Sequence, residues 1–539
     1  MRSSVFVVSS FVALALAAGC AVDPFASSPE AKDAGGPNVD GGVGNDGQAP
    51  VADAAPVIDA ALPPGCDAKK LPADDACVID EAAAVFVSTT GSASGDGTRA
   101  KPLASIADGI TLAKLAKKRV YVCEGSYPES VVLANGVSMF GGFDCTSWKW
   151  NASGRAKIAS PQSPAMRATS INLDTRVEGF DVVAPAGTAN APSSIGFIAA
   201  TSPGVRFVHG SITAGAGFAG APGSDAVQLA NGPWVDGDAN MKDAYCGTSI
   251  LCQTQHGFKN GGTNTCVGKT GYVGGAGGEG GNGGSFIDNG FQWSQQTATS
   301  VGLPQVATSA TAAGSTGVSA SQVGAAGTVG TNGANGTAGV FSASGFTPAD
   351  GTAATDGAPG QGGGGGAGYG VPNSRLNAYA NGALVYGIPG SGGGAGGCPG
   401  LAGSQGKGGG ASVALLATDS PMTFEDSKLV ASAGGAGGAA GASTAGTSGG
   451  AGGADATGYG LALAGKFLGA SGGAGGNAGL SGQGAGGPSV GYAYHGVAPT
   501  FLSTPITFGA GGSGAPAKVV PAGTIPASPD GLAANSTTF

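Results

Sequence analysis

The stretch Ser194–Gly223, SIGFIAATSPGVRFVHGSITAGAGFAGAPG, decides the fold of this chain. It contains two short alternating apolar runs, Ile195–Ile198 and Val205–Val208, then a third at Ser211–Thr213, and finally a glycine run. The same order of features recurs in two later copies: Ser412–Gly438, SVALLATDSPMTFEDSKLVASAGGAGG, and, more loosely, Ser489–Gly512, SVGYAYHGVAPTFLSTPITFGAGG. Strand, turn, strand and glycine run therefore form a unit used more than once, which predicts an elongated protein of stacked β units.

The composition is biased toward glycine and away from charge. The 539 residues include 108 glycines, whereas average usage is about 7 %. Charged residues make up 11 % of the chain, against about 25 % in an ordinary domain. The net charge is −9, and no Lys/Arg cluster in the sequence could neutralise a row of phosphates, which argues against nucleic acid as a partner.

The N-terminus has the features of an export signal. Arg2 supplies one positive charge, and the apolar run Val5–Ala18 is too short for a comfortable membrane span. Small residues then precede Cys20, which resembles the lipobox of bacterial lipoproteins, although Ala17 stands where leucine is usual. This resemblance implies that residues 1–19 are removed, that Cys20 is lipidated and that Ala21 directs the protein to the outer membrane. An ordinary signal peptide with a chance cysteine is the alternative.

Composition divides the rest of the chain into five parts. We predict a disordered Pro/Gly/Ala tether over 20–64, an N-terminal β part over 65–215, a glycine-rich low-complexity part over 216–410, further strands with glycine runs over 411–515, and a tail over 516–539 that frays.

The N-terminal β part begins with one helix and several short strands. Leu103, Ile106 and Ile110 have helical spacing, which predicts a helix over Pro102–Ala116 with proline in its first turn. Strands are predicted at Ala84–Ser88, Val120–Cys123, Ser130–Leu133, Val137–Phe140 and within Val177–Val183. Each is too short for an ordinary βαβ sheet, and stacking each strand on the strands above and below would solve this problem.

Several of these segments resemble the pectin-lyase-like superfamily, and most of all its bacterial surface proteins with a G-T-x-x-x-P signature. The matching residues are Gly97, Thr98, Pro102, Leu103, Ser105, Ile106 and Ile110, followed by Gly141, Gly142, Phe143 and Trp148. The resemblance implies an all-β fold, a right-handed parallel β-helix (solenoid) whose first coil is closed by an N-terminal capping helix. The glycine-rich parts would then be large insertions into this solenoid.

Two structures are open for the glycine-rich tracts. Glycines recur at every third position from Gly324 to Gly339, and Gly274–Gly284 repeats the same period. The tracts are either polyglycine II-like rods packed side by side or disordered loops. We favour ordered rods at Gly434–Gly453 and Gly472–Gly482, because predicted strands would fix both ends of each run.

The cysteines after Cys20 predict disulfides and not a metal site. There are eight: Cys66, Cys77, Cys123, Cys145, Cys246, Cys252, Cys266 and Cys398. An even number in an exported chain is typical of disulfides, and the sequence has neither a Cys-x-x-Cys pair nor a histidine near the cluster other than His256. We predict the pairs Cys66–Cys77 and Cys123–Cys145, and two more among the remaining four.

No sequence motif predicts catalysis. The nucleophile elbow, the HExxH zinc motif and the phosphate-binding loop are absent, and His209, His256 and His495 have no partner in sequence. The best acidic group comprises Asp174, Glu178 and Asp181 with Arg176 between them, but the hallmark strings of pectin-lyase-like glycosidases are missing. The aromatic residues Trp148, Trp150, Trp234, Tyr492 and Tyr494 either stack on sugars or, as we prefer, pack the fold.

These observations predict a non-enzymatic cell-surface lipoprotein with a structural or adhesive role. Its expected partners are the membrane, through the lipid on Cys20, and surface glycans or neighbouring cells; no cofactor is expected. The alternative is a polysaccharide lyase or glycoside hydrolase, because enzymes of both kinds occur on the fold that the resemblance implies.

Overall fold

The three repeat copies lie directly on one another in the structure, a computed structural model. It describes residues 62–232, 260–278, 323–365, 391–454 and 468–539, and the backbone of 286–288 and 293–295. The opening residues of the copies, Ser194, Ser412 and Ser489, are paired in register, and the strands they begin run parallel. The sequence repeats because each copy occupies the same place in a successive layer.

The described part of the chain contains one α-helix and many short strands. A short 3-10 helix spans Ala76–Val78, and the α-helix, α1, spans Ile106–Ala116. The strands are β1 Ala84–Ser92, β2 Arg119–Cys123, β3 Gly125–Tyr127, β4 Val131–Val132, β5 Met139–Phe143, β6 Ala156–Ala159, β7 Met166–Thr169, β8 Thr175–Glu178, β9 Phe180–Val183, β10 Ser194–Ala200, β11 Val205–Val208, β12 Ser211–Ala214, β13 Phe286–Asp288, β14 Trp293–Gln295, β15 Val340–Ser342, β16 Gly345–Thr347, β17 Ser412–Thr418, β18 Thr423–Glu425, β19 Lys428–Ala431, β20 Ser489–His495, β21 Thr500–Leu502, β22 Ile506–Thr507, β23 Lys518–Val520, β24 Gly523–Ile525 and β25 Ala533–Thr538.

Most of these strands form three parallel sheets. Sheet A has the order β1-β2-β5-β8-β11-β18-β21, sheet B has β22-β19-β12-β9-β6-β3, and sheet C has β25-β20-β17-β10-β7-β4. From β2 onward, each pass of the chain adds one strand to sheet A, then one to sheet B and then one to sheet C. The pairs β13–β14, β15–β16 and β23–β24 are antiparallel hairpins outside these sheets.

Alternate side chains of the three sheets fill one continuous core. A column of phenylalanines shows how the layers are joined: Phe207, Phe424 and Phe501 occupy the same register in β11, β18 and β21. Their ring centroids are 5.7 and 5.2 Å apart. Burying such a ring contributes about 1.5–3 kcal/mol, so the column stabilises the stacking of each layer on the next.

Residues in the left-handed conformation turn the chain from sheet A to sheet B. His209, Asp426 and Ser503 have φ angles of 47°, 42° and 47°, and each directly follows a strand of sheet A. Asp and His adopt this conformation more readily than most residues other than glycine. The hydroxyl of Ser427 donates to the carbonyl of Glu425 (2.7 Å) and so braces one of these turns.

The helix joins two neighbouring parallel strands, β1 and β2, and packs against both. It begins at Ile106 and not at the predicted Pro102, because the Ser105 side chain caps it by accepting a hydrogen bond from the N–H of Asp108. The carboxylate of Glu129 also accepts the N–H of Ile106 (2.8 Å). The helix is therefore a crossover whose apolar face belongs to the main core.

Every glycine-rich tract leaves the sheets at the same corner, between a strand of sheet B and the next strand of sheet C. The tracts connect β12 to β17, β19 to β20 and β22 to β25. Because the layers are stacked, the tracts lie side by side. We call their described parts, within 215–232, 260–278, 323–339, 349–365, 391–410, 432–454, 468–487 and 509–517, the glycine slab.

The segments of the glycine slab are bonded to one another at every third residue. Between the antiparallel segments 435–453 and 392–410 there are seven such N–H···O bonds of 2.7–2.9 Å, from Gly435–Gly410 to Gly453–Gly392. Between the parallel segments 324–336 and 471–483 there are five, of 2.8–2.9 Å. An extended chain with three residues per turn points successive N–H groups in three directions, so one segment bonds to several neighbours.

Glycine is required in the slab because the segments approach so closely. At Gly476, an added Cβ would meet the carbonyl carbon of Thr328 at 2.5 Å and the carbonyl oxygen of Gly327 at 2.7 Å. Cβ atoms essentially never approach other atoms within 3.0 Å. The backbone of one segment thus occupies the space that the side chain of a neighbour would need.

The predicted fold class, an all-β right-handed parallel β-helix with a capping helix and glycine-rich insertions, is wrong. The structure consists mostly of three parallel sheets of six or seven strands, and its first two strands are joined by a helix in the core. The glycine tracts are not insertions into a solenoid. They form a slab that interrupts successive passes of the chain, so that β12 and the next strand of sheet C, β17, are about 200 residues apart.

The C-terminal residues also differ from the prediction. Residues 516–539 were expected to fray, but they form the β23–β24 hairpin and β25, which pairs with β20 at the edge of sheet C. Alternating small and hydroxyl side chains give a weak strand signal, and the partner strand decides the structure.

A search of the described residues for a membrane-spanning helix, one both long and apolar, finds none.

Disulfides join Cys66 to Cys77, Cys123 to Cys145 and Cys266 to Cys398. The first two are the predicted pairs, and the third resolves one of the pairings that the sequence left open. Cys246 and Cys252, together with the predicted lipidation site Cys20, lie outside the described residues.

Candidate functional site

The predicted acidic group is largely engaged in contacts within the sheets. Glu178 lies at the end of β8, its side chain is 3 % exposed, and its Oε2 accepts a hydrogen bond from Nε of Arg176 at 2.6 Å. The carboxylate of Asp181 accepts the hydroxyl proton of Ser211 (2.6 Å). Asp174 lies, partly exposed, just before β8.

A histidine from the next layer joins this group. Nδ1 of His209 is 3.4 Å from Oε1 of Glu178, and its Nε2 is 3.5 Å from Oδ2 of Asp426 in the layer beyond. The imidazole is 44 % exposed, whereas the Glu178 carboxylate is buried beneath it. The contacts therefore link three layers at one corner, and they leave Glu178 little room to reach a polymeric substrate.

The other predicted histidines form no larger cluster. Nδ1 of His495 is 3.4 Å from Oδ1 of Asp419, and His256 lies outside the described residues. In the part of the chain that the structure describes, no three His, Cys, Asp or Glu side chains are placed to hold a metal ion.

The candidate sugar-stacking aromatic residues mostly pack within the fold. Trp148 is 5 % exposed, and its ring centroid lies 4.8 Å from that of Phe86 on the outer face of sheet A. Tyr492 lies 4.8 Å from Phe501 against the main core. The interpretation of Trp148 as a packing residue is confirmed, and Trp234 lies outside the described residues.

A groove of about 500 Å³ opens in the glycine slab and was not predicted. Its walls come from the turn around residue 272 and from three slab segments. They carry two prolines, three threonines, an aromatic ring and a carboxylate: Pro359, Pro399, Thr328, Thr331, Thr355, Tyr272 and Asp356. Asp356 is the only charged residue among the described lining residues, and Nζ of Lys269 lies beside the groove, 5.3 Å from the ring centroid of Tyr272.

A short hydrogen bond organises the polar side of the groove. The Tyr272 hydroxyl donates to Oδ2 of Asp356 at 2.6 Å, and Oδ1 of Asp356 accepts the N–H of Ala402 at 2.7 Å. The hydrogen bond from the Tyr272 hydroxyl to the Asp356 carboxylate raises the pKa of Tyr272 to about 12, and burial adds to the effect. Tyr272 therefore remains a neutral phenol over the physiological range, and both Asp356 oxygens are held in place.

The groove is rigid on both sides. The Cys266–Cys398 disulfide ties the turn that carries Tyr272 to the slab segment that carries Pro399. On the opposite wall, the Thr331 N–H donates to the Thr355 hydroxyl (2.8 Å), and the two hydroxyls are 3.0 Å apart. A ligand would meet a surface that is already arranged, which reduces the entropy lost on binding.

Sequence reasoning missed Tyr272 and Asp356 because they are 84 residues apart. The one signal available was that a tyrosine and an aspartate interrupt tracts made almost entirely of small residues. Comparison with known proteins adds no further guide: no family model matches the chain, and no curated protein or solved structure matches it significantly.

Proposed function

We propose that this protein is a non-enzymatic adhesive lipoprotein of the bacterial outer membrane that binds a neutral glycan in the groove beside Tyr272. The groove is the observation that carries the proposal. Sugars present apolar C–H faces and a ring of hydroxyls, which call for an aromatic or proline surface and fixed hydrogen-bonding groups. The aromatic and proline surface is supplied by Tyr272, Pro359 and Pro399. The fixed hydrogen-bonding groups are those of Asp356 and the threonines.

The charge of the groove favours a neutral glycan over an acidic one. Asp356 would repel a uronate or phosphate group, and Lys269, whose Nζ lies 5.3 Å from the ring centroid of Tyr272, offsets this repulsion only in part because it is not among the lining residues. The rest of the proposed function is consistent with this assignment. A lipid on Cys20 and the tether over 20–64 would hold the folded part away from the membrane, with the groove available to neighbouring surfaces.

Binding to an array of neutral and acidic oligosaccharides tests the proposal. We expect the wild-type protein to bind neutral glycans, and Tyr272→Ala to lose this binding while Val519→Ala, an exposed site in the β23–β24 hairpin, retains it. Release of unsaturated ends from a polyuronide, lost in Asp181→Ala, would instead support the lyase alternative. Equal binding by the Tyr272→Ala and wild-type proteins would remove the groove from the proposal.

A further inference from the structure

The two ends of the sheet stack differ in how they are closed. At the N-terminal end, α1 packs against β1, β2 and β4, and its residues Ile106 and Ile110 are buried in the main core. The last turn of this helix and the residues after it also carry Lys114, Lys117 and Lys118. At this end, sheets A, B and C also finish in strands with one neighbour, β1, β3 and β4, but α1 packs against β1 and β4 and lysines follow it.

At the C-terminal end, each sheet finishes in a strand with a single neighbour. These strands are β21 in sheet A, β22 in sheet B and β25 in sheet C. A strand with one neighbour directs half of its backbone N–H and C=O groups outward, where another strand can pair with them. Proteins usually protect such edges with lysine, other charges or proline. Proline precedes β21 and β22, but β25 has no such protection.

The β25 edge is neutral, accessible and rich in hydroxyl groups. Its sequence, AANSTT, contains no charged residue, and all six residues are at least partly exposed. Apolar side chains are exposed in or beside the last strands: Val497 is 65 % exposed, Leu502 53 % and Phe508 40 %. The phenylalanine column also ends here, at the partly exposed ring of Phe501.

We propose that this end binds a second copy of the chain, with β25 of each copy paired antiparallel across a two-fold axis. A neutral strand of small and hydroxyl residues is complementary to itself, because no like charges meet when it is turned around and paired. The partner's Phe501 would lie near the end of the phenylalanine column. A two-fold contact uses the same surface of both copies, so it closes as a dimer and does not propagate into a filament.

Sedimentation velocity tests the proposal by measuring the mass of the full-length protein. The protein is kept in mild detergent, which disperses any attached lipid. We expect a dimer at micromolar concentration. Asn535→Lys should raise the dimer dissociation constant roughly 100-fold, because lysines are then brought together across the axis. Val519→Lys adds the same charge to an exposed residue of the separate β23–β24 hairpin and should remain dimeric.

Cross-linking tests the geometry even if a lysine variant folds poorly. The two-fold axis of such a pair is normal to the sheet, so the residue at the axis faces its own copy. With the axis at Asn535, Asn535 of one copy faces Asn535 of the other. Asn535→Cys protein should therefore form more intermolecular disulfide than Ser536→Cys protein, because Ser536 would face residue 534 of the other copy. A monomeric wild-type chain, an assembly larger than a dimer, or a dimer unaffected by Asn535→Lys would each overturn the proposal.

Discussion

Alanine in place of Gly476 should open the glycine slab locally. The added Cβ would point at the backbone of the 323–339 segment, with Thr328 C at 2.5 Å and Gly327 O at 2.7 Å. No side-chain rotation can relieve this contact, because the atoms involved belong to the backbone. The two segments must therefore move apart.

The loss of folding stability in Gly476→Ala can be worked out from the contacts around residue 476. Overpacking a close-packed interior costs about 1–3 kcal/mol. Separation also weakens two flanking hydrogen bonds, Gly327 N to Ala474 O (2.8 Å) and Gly330 N to Asn477 O (2.9 Å), each worth about 1 kcal/mol. The lower flexibility of alanine in the unfolded chain offsets about 0.4–1 kcal/mol. The net destabilisation is about 2–4 kcal/mol.

Hydrogen exchange measured by mass spectrometry reads this change directly. The N–H groups of Gly327, Gly330 and Gly333 should exchange about 30- to 700-fold faster in Gly476→Ala, since 1.4 kcal/mol corresponds to a factor of ten. Ala474→Ser is the matched control, because it also adds one heavy atom to this segment but at an exposed position. Exchange in Gly476→Ala that is indistinguishable from that in Ala474→Ser would refute close backbone packing as the reason for glycine.

Two further predictions concern charged and titrating groups. Glu178→Ala leaves the 14 %-exposed Arg176 without its carboxylate and should cost about 3–5 kcal/mol. Glu425→Ala, which breaks the more exposed pair with Arg206, should cost less than about 1 kcal/mol. Unfolding in guanidinium chloride measures both variants, and equal shifts of their unfolding midpoints would contradict this prediction. The pKa of Tyr272 is raised from 10.0 to about 12, so the stability it contributes is complete below pH 10 and is lost as the pH rises from 10 toward 12. In Asp356→Asn that pKa should fall toward 10, as measured by phenolate absorbance relative to Tyr272→Phe, and an unchanged pKa would remove Asp356 as the cause.

The sequence predicted the strands of the repeat copies well because their signal is local. Alternation in Ile195–Ile198 and Val205–Val208 marks residues that face a core, and the same pattern in later copies indicates equivalent positions, which β10, β17 and β20 occupy. The fold class was wrong because a family resemblance at residues 97–148 said nothing about the glycine slab. Nor did it show that α1 connects two parallel strands.

The candidate site and the arrangement of the slab could not be read from the sequence. One glycine triplet resembles every other, so the pairing of segment 435–453 with 392–410 has no sequence signature. Tyr272 and Asp356 meet only because separate tracts leave the sheets at one corner. The acidic group around Glu178 was visible in the sequence, but its burial against Arg176 depends on the layers above and below.

The three-residue spacing of the hydrogen bonds restricts the lengths that the segments of the glycine slab can have. Inserting or deleting three residues in one segment slides it by one turn, about 9 Å, and returns every N–H group to the side it faced before. A change of one or two residues rotates the rest of that segment by about a third of a turn per residue, so that side chains replace glycines in the interior. Lengths of the tracts are therefore expected to vary in steps of three. The slab can widen or shrink by whole triplets while the sheets that anchor it remain unchanged.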